Sequence, residues 1–256
     1  MPYINILGKR TYYHQGCDFQ AGLSTILFVH GAGGTGENWL HQLAGIQGYN
    51  LIALDLPGHG LSEGSASDNI IVYRDFVWYF AQALKLGPFI MAGHSMGGAI
   101  ALELALEFSE GIKGLIIVGS GAKLRVNQSI LEALSRGIHP IKSVKYFYSN
   151  RTSTEIIEQA IIHMKNVPIE VYQADFKACN EFNIMDRIQN IINPALVICG
   201  EEDQMTPLKY SDYLCKALPH STMSIVTDAG HLAMLEQPDQ VNQAIISFLT
   251  QVNLLT

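Results

Sequence analysis

Residues 93–98 read Gly-His-Ser-Met-Gly-Gly, with Phe89-Ile90-Met91-Ala92 before them and Ala99-Ile100-Ala101-Leu102 after. This fits the pattern G-x-S-x-G where it has a mechanical meaning, after a strand-sized apolar run and before a helix-sized one. A sharp turn there lifts the Ser95 hydroxyl out of a sheet, and small flanking residues let strand and helix pass closely. The chemistry open to such a hydroxyl is nucleophilic attack, for which it needs a base. The plain alternative is a cluster of turn residues without chemistry, and the strand-before, helix-after context argues against it.

Nine histidines are available. His94 adjoins Ser95, but successive side chains diverge at a sharp turn. His231 follows Asp228-Ala229-Gly230, just after the strand-like run 222–226, so it is expected at the rim that also presents Ser95. An imidazole used as a base needs a carboxylate to fix its tautomer and stabilise its charged form. Glu201, Glu202 and Asp203 follow the run Ala195-Leu196-Val197-Ile198. Asp203 is the preferred acid, with Glu201 and Glu202 as alternatives. The negative charge formed in the attack calls for two backbone donors. Met96 N–H is one, and Ala32 N–H, in the glycine-rich loop after Thr25–Val29, is the expected second.

These residues require elements to hold them. Residues 3–7 and 10–14 around Gly8-Lys9 read as a hairpin. Strand-like runs recur at 25–29, 51–54, 89–92, 115–118, 195–198 and 222–226. Helical spacing separates them: Val72, Phe76, Tyr79, Phe80, Ala83 and Leu84 before the stop Gly87-Pro88, then 99–108, and later Val241, Ala244, Ile245, Phe248 and Leu249. Such alternation predicts an α/β fold, a mostly parallel sheet with helices on both faces. From 126 to 187 the alternation stops. Helical segments are expected at Ile130–Arg136, Val144–Tyr148, Glu155–Met164 and Ile169–Cys179, punctuated by Pro140 and Pro168. The expected organisation is one core, 1–125 with 188–256, and a helical insertion, 126–187.

Taken together, "HGAGG" (30–34), "DLPGHGLS" (55–62), "GHSMGG" (93–98), "GEEDQMTP" (200–207) and "AGHLAMLEQP" (229–238) resemble the α/β-hydrolase superfamily over nearly the whole chain. The likeness is nearest to small carboxylesterases and monoacylglycerol lipases. It implies Ser95 as nucleophile, His231 as base, Asp203 as acid, Ala32 and Met96 as oxyanion donors, and 126–187 as a helical cap. The implied reaction is ester hydrolysis through an acyl-enzyme, with a small-molecule ester as partner and no cofactor or metal. Thioesterases, C–C hydrolases and cofactor-free perhydrolases share the same triad. The apolar content of 126–187 favours an apolar acyl group over sugars or phosphates.

Two readings compete. Gly31-Ala32-Gly33-Gly34-Thr35-Gly36 matches G-x-G-x-x-G, and Asp55 ends the next strand, as in a dinucleotide-binding unit. Three features oppose an NAD-binding protein. His30 stands where that strand is usually apolar, no Tyr-x-x-x-Lys occurs, and Ser95, Asp203 and His231 go unused. Asp55 then reads as a turn residue opening Pro57-Gly58-His59-Gly60. A non-catalytic ligand receptor on the same scaffold usually lacks a triad member, and none is missing here.

Composition excludes other classes. Of 256 residues, 48% are hydrophobic and 15% charged, enough for a sizeable core. The net charge is −7 and the 16 Lys and Arg residues are scattered, so no stripe suits a phosphate backbone and nucleic acid is a poor partner. No apolar run approaches the ~20 residues of a spanning helix, so stable membrane insertion is not expected. Met1-Pro2-Tyr3-Ile4-Asn5-Ile6 lacks a basic start and apolar body, and Cys17, Cys179, Cys199 and Cys215 lie far apart. Both point to reduced thiols in a cytoplasmic protein.

Overall fold

The chain opens with an antiparallel hairpin, β1 (Tyr3–Ile6) and β2 (Lys9–Gln15), turned at Leu7-Gly8. The computed structural model describes residues 2–253; Met1 and 254–256, the outer ends of the expected core, lie outside the described residues. Six parallel strands follow: β3 (Thr25–Val29), β4 (Asn50–Leu54), β5 (Phe89–His94), β6 (Ile112–Val118), β7 (Ala195–Gly200) and β8 (Ser221–Val226). The sheet order is β1-β2-β4-β3-β5-β6-β7-β8. Every residue of β3, β4, β5 and β7 is buried, as continuous apolar runs require when both faces are covered.

The helices are α1 (Leu40–Gly45), α2 (Ile70–Ala83), α3 (Met96–Glu107), α4 (Gln128–Ser135), α5 (Thr154–Asn166), α6 (Ile169–Glu181), α7 (Lys209–Ala217), α8 (Ala233–Glu236) and α9 (Pro238–Asn253). Alternate strand residues serve opposite faces. Leu27 and Val29 join the cluster under α2, α3 and α7, whereas Ile26 and Phe28 join the one under α1, α8 and α9. Asn69 starts α2 by accepting the Ile71 N–H at 2.8 Å, and the helix ends at Leu84, before Gly87-Pro88.

Strand order reverses between β3 and β5: the chain leaves β3 for β4 on one side and later leaves β5 for β6 on the other. Ligands of open α/β sheets bind at such a point, beyond the strands' C-terminal ends. The loop with Ala32 follows β3, and Ser95 follows β5.

Between β6 and β7 lie α4, a 3-10 turn at Ile141–Phe147, α5 and α6, with one isolated bridge from Lys123 to Asn183. Ile130, Leu134, Val144, Tyr148, Met164, Tyr172 and Phe176 form this segment's own apolar cluster, against which Ala32, Met205 and Leu232 of the core pack. The expected helix at Val144–Tyr148 is a 3-10 turn that begins earlier. Ser143 gives both its N–H (2.9 Å) and its hydroxyl (2.6 Å) to the Pro140 carbonyl, which tightens the turn at its start.

Candidate active site

Ser95 sits between β5 and α3 with φ 51° and ψ −111°, a conformation costly for a residue with a side chain. Surrounding bonds over-determine it. Its N–H is given to Val118 O (2.9 Å), and its carbonyl accepts from Ser120 Oγ (2.7 Å), Gly98 N–H (3.0 Å) and Ala99 N–H (3.2 Å). The flanking glycines are there for approach. A Cβ on Gly93 would strike the Gly97 carbonyl, and one on Gly97 would strike the carbonyls of Val29 and His30.

Asp203, whose side chain has no exposed surface, accepts the His231 Nδ1–H at Oδ2 (2.9 Å). Its Oδ1 takes the N–H groups of Met205 and Thr206, both at 2.8 Å, and the Thr206 hydroxyl adds a bond to Oδ2 at 2.9 Å. Burial alone would raise this carboxyl. The charge and hydrogen bond of His231, with the Thr206 donors, outweigh burial and hold it at about 2. With Nδ1–H committed to Asp203, Nε2 of the neutral ring is left as the acceptor. The other two acids resolve themselves: Glu201 is exposed, and the Glu202 carboxylate is spent on the Asn150 N–H (2.9 Å) and side-chain amide (2.8 Å).

His94 is buried and donates Nε2–H to the His231 carbonyl (2.9 Å); burial and the nearby His231 lower it to about 3, so it stays neutral. Its position supports the backbone of His231.

Ser95, His231, Gly31 and Ala32 line one cavity of about 390 Å³. A Cβ on Gly31 would lie 3.2 Å from Ser95 Cβ, so the glycine loop passes directly beside the serine. Among the described residues, the N–H groups of Ala32 and Met96 have no acceptor, and the Ser95 hydroxyl makes no hydrogen bond. The walls are mostly apolar, including Leu124, Val144, Phe147, Tyr148, Met164, Tyr172, Phe176 and Leu232, and the one Arg or Lys among the lining residues, Arg125, is exposed. Among the described residues, no three His, Cys, Asp or Glu side chains are grouped to hold a metal ion, and no helix is long and apolar enough to cross a membrane.

Several residues around the site have roles that the sequence reading did not give them. Asp55 is more than a turn residue: its carboxylate accepts Gly36 N–H (2.7 Å) and Leu61 N–H (2.9 Å), joining the glycine loop to the 55–62 motif. Each of its oxygens already holds a backbone donor, and the residue is buried away from any ribose. Glu236 accepts Gly230 N–H (2.8 Å), Ser149 N–H (2.7 Å) and the Thr152 hydroxyl (2.8 Å), fastening the His231 loop to the segment between β6 and β7. The Phe147 carbonyl takes the N–H groups of His231 (2.9 Å) and Leu232 (3.2 Å).

Asp175, fully buried on α6, takes three donors: Gly33 N–H (2.8 Å), His59 Nε2 (2.8 Å) and the Tyr73 hydroxyl (2.6 Å). His59 also bonds the Pro57 carbonyl through Nδ1 (3.0 Å), so both ring nitrogens carry protons. Burial alone would lower this imidazole; its bond to Asp175 and the Asp175 charge outweigh burial and raise it. A signal for Asp175 was present in the sequence. It occupies the stripe Val171, Tyr172, Asp175, Phe176, Cys179, whose spacing buries it with its neighbours.

A family model described as the alpha/beta hydrolase family matches residues 26–244. The (E)-2-((N-methylformamido)methylene)succinate hydrolase of Acinetobacter baylyi is 27% identical over 237 residues, 88% of this chain and 89% of its own length. The 3-oxoadipate enol-lactonase 2 of the same species is 26% identical over 245 residues, 91% of each chain. Among solved structures, a thermophilic esterase matches with a TM-score of 0.86 at 30% identity, over 98% of this chain and 97% of its own. The enol-lactonase of Burkholderia xenovorans LB400 matches with a TM-score of 0.89 at 20% identity, over 97% and 100%, a likeness of fold.

Proposed function

The chain belongs to the alpha/beta hydrolase family, and from that premise we propose that it cleaves carboxylic esters of apolar acyl groups through an acyl-enzyme on Ser95. The observation that carries this reading is His231, held through Nδ1 by the buried Asp203 with Nε2 left as acceptor, lining one cavity with a serine held at a strained turn.

In the first half-reaction the Ser95 proton passes to His231 Nε2 as Oγ attacks the ester carbonyl. The hydrogen bond between them forms as substrate closes the site; such contacts are often long without it. The N–H groups of Ala32 and Met96 receive the developing oxyanion, and the N-terminus of α3 adds its favourable potential. Protonated His231 gives its proton to the departing alcohol. Water then loses a proton to His231 and attacks the acyl carbonyl. His231 returns that proton to Ser95 Oγ as the acid leaves.

Residues 126–187 act in this reading as a cap that supplies the apolar wall. The acyl preference follows from charge. A carboxylate on the acyl chain would be desolvated against Phe147, Tyr172 and Phe176, far more costly than burying methylenes there. Thioesters of the same acyl groups fit the same geometry.

A fluorophosphonate probe, adduct mapping and a series of p-nitrophenyl esters from acetyl to palmitoyl test the proposal. Labelling is expected at Ser95, with turnover, and Ser95→Ala should abolish labelling and lower kcat by about 10⁴–10⁶. Absence of labelling at Ser95 together with absence of turnover refutes it. A preference for dicarboxylic over neutral aliphatic esters refutes the acyl assignment.

A further inference from the structure

A buried ion pair is seldom kept for stability, because apolar residues of similar volume often do as well or better. The buried Asp175 and protonated His59 therefore call for another role, and the partner of the third donor supplies one. Gly33 belongs to the loop that presents Ala32, and a Cβ on Gly33, at φ +64°, would enter the Tyr172 ring.

Two peptide planes meet at Ala32. In the first, the Gly31 carbonyl accepts from His30 Nδ1 (2.8 Å) and from Gly34 N–H (3.0 Å). Leu56 N–H occupies His30 Nε2 (3.1 Å), which fixes the ring proton on Nδ1. A trans peptide points its N–H opposite its C=O, so bonds to Gly31 O aim the Ala32 N–H the other way. In the second plane, the Gly33 N–H is held by Asp175. With both planes pinned, the Ala32 N–H cannot turn aside alone without breaking the bonds to the Gly31 carbonyl, nor together with the next plane without breaking the buried, charge-assisted bond from Gly33 to Asp175.

We infer that Asp175 is a positioning residue for the oxyanion hole, acting through the Gly33 N–H to hold the Ala32 N–H toward the reacting carbonyl. This rests on the reading of Ala32 as an oxyanion donor. His59 and Tyr73 act one step further out, by orienting the Asp175 carboxylate. Because Asp175 rides on α6, the hole is complete only when the segment between β6 and β7 is seated on the core.

The test uses the full chain, a p-nitrophenyl ester and a trifluoromethyl ketone. Ser95 Oγ adds to the ketone carbon, its proton passes to His231, and the resulting oxyanion occupies the hole. Asp175→Asn is expected to lower kcat by about 10², the scale of one lost oxyanion donor, with KM changed less than about threefold. Ketone affinity should fall in step with kcat/KM across the variants. A folded Asp175→Asn protein with unchanged kcat overturns the inference. So does a kcat loss that ketone affinity does not follow, since that is merely structural damage. If Asp175→Asn does not fold, Tyr73→Phe decides by the same readouts, with an expected loss of about three- to tenfold and an unchanged value as refutation. Wild-type labelling by the fluorophosphonate separates the levels. An unlabelled wild type removes the premise, whereas a labelled, active wild type with an indifferent Asp175 removes only this inference.

Discussion

The two flanks of the cavity are tied to the segment between β6 and β7 by bonds that run in opposite directions. On the His231 flank a carboxylate of the core, Glu236, reaches out to the segment's backbone at Ser149. On the Ala32 flank a carboxylate of the segment, Asp175, reaches in to the core's backbone at Gly33. Glu236 is half-buried and Asp175 has no exposed surface. Water can replace part of what Glu236 supplies, and none of what Asp175 supplies. The loop that carries His231 is therefore held to the segment by several shared, forgiving contacts, and the Gly33 end of the glycine loop by one buried charge with its own escort.

This contrast can be broken in graded ways. The largest effect is expected at the carboxylate that orients the proposed base, Asp203. Asp203→Asn should lower kcat by about 10⁴, because the ring loses the tautomer that frees Nε2; a loss below tenfold in steady-state kinetics would take the role from Asp203. Glu236→Gln keeps the size and part of the bonding, so kcat should fall only about tenfold, less than for Asp175→Asn, as a small displacement of the base would give. If Glu236→Gln proves the more damaging of the two, the ranking of the flanks is reversed.

Acidity separates the flanks by sign. Asp203 is held at about 2, below its ordinary value of 3.8. Its stabilisation is present above 3.8 and is lost as pH falls toward 2. His59 is raised above its ordinary 6.5, so its stabilisation is complete below 6.5 and is lost as pH climbs through the raised value. Unfolding temperatures across pH should show Asp203→Asn flattening the acid limb and His59→Gln the alkaline limb. Exchange of those two assignments would contradict the pairing described for each residue. The smallest effect is expected at Ile156, a half-exposed wall residue on α5. Ile156→Ala should shift the preferred acyl length while kcat for the acetyl ester stays within about twofold; an equal loss for every ester would place Ile156 among the residues that support the chemistry.

What could be read from sequence was local. Ser95, Asp203 and His231 each follow an apolar strand run, and a parallel sheet brings such strand ends to one edge whatever their separation along the chain. The mostly parallel sheet with helices on both faces followed from the strand-helix alternation, and the helical character of 126–187 from the break in it; the strand order had no signal in that pattern. Asp175 and His59 stand 116 residues apart; Asp175 lies on a helix away from any strand run, and His59, although it follows the run 51–54, sits among the turn residues Pro57, Gly58 and Gly60 that mask its partner. Asp55 reads as a turn former because its real partners, Gly36 and Leu61, are backbone amides with no signature in residue type. The 3-10 turn at Ile141–Phe147 escaped for a related reason: the bond that tightens it comes from a serine hydroxyl folded back on Pro140.

Helix α5 stands apart from all of this. Met164 is its one buried residue, and among the described residues none of its side chains is hydrogen-bonded or ion-paired to another element. Its neighbours on either side carry the fastenings, Ser149 and Thr152 before it and Asp175 after it. Mutational drift in this helix can accordingly reshape which molecules are admitted while the machinery that transforms them is inherited intact, so diversification within a lineage of such proteins has a doorway through which to proceed.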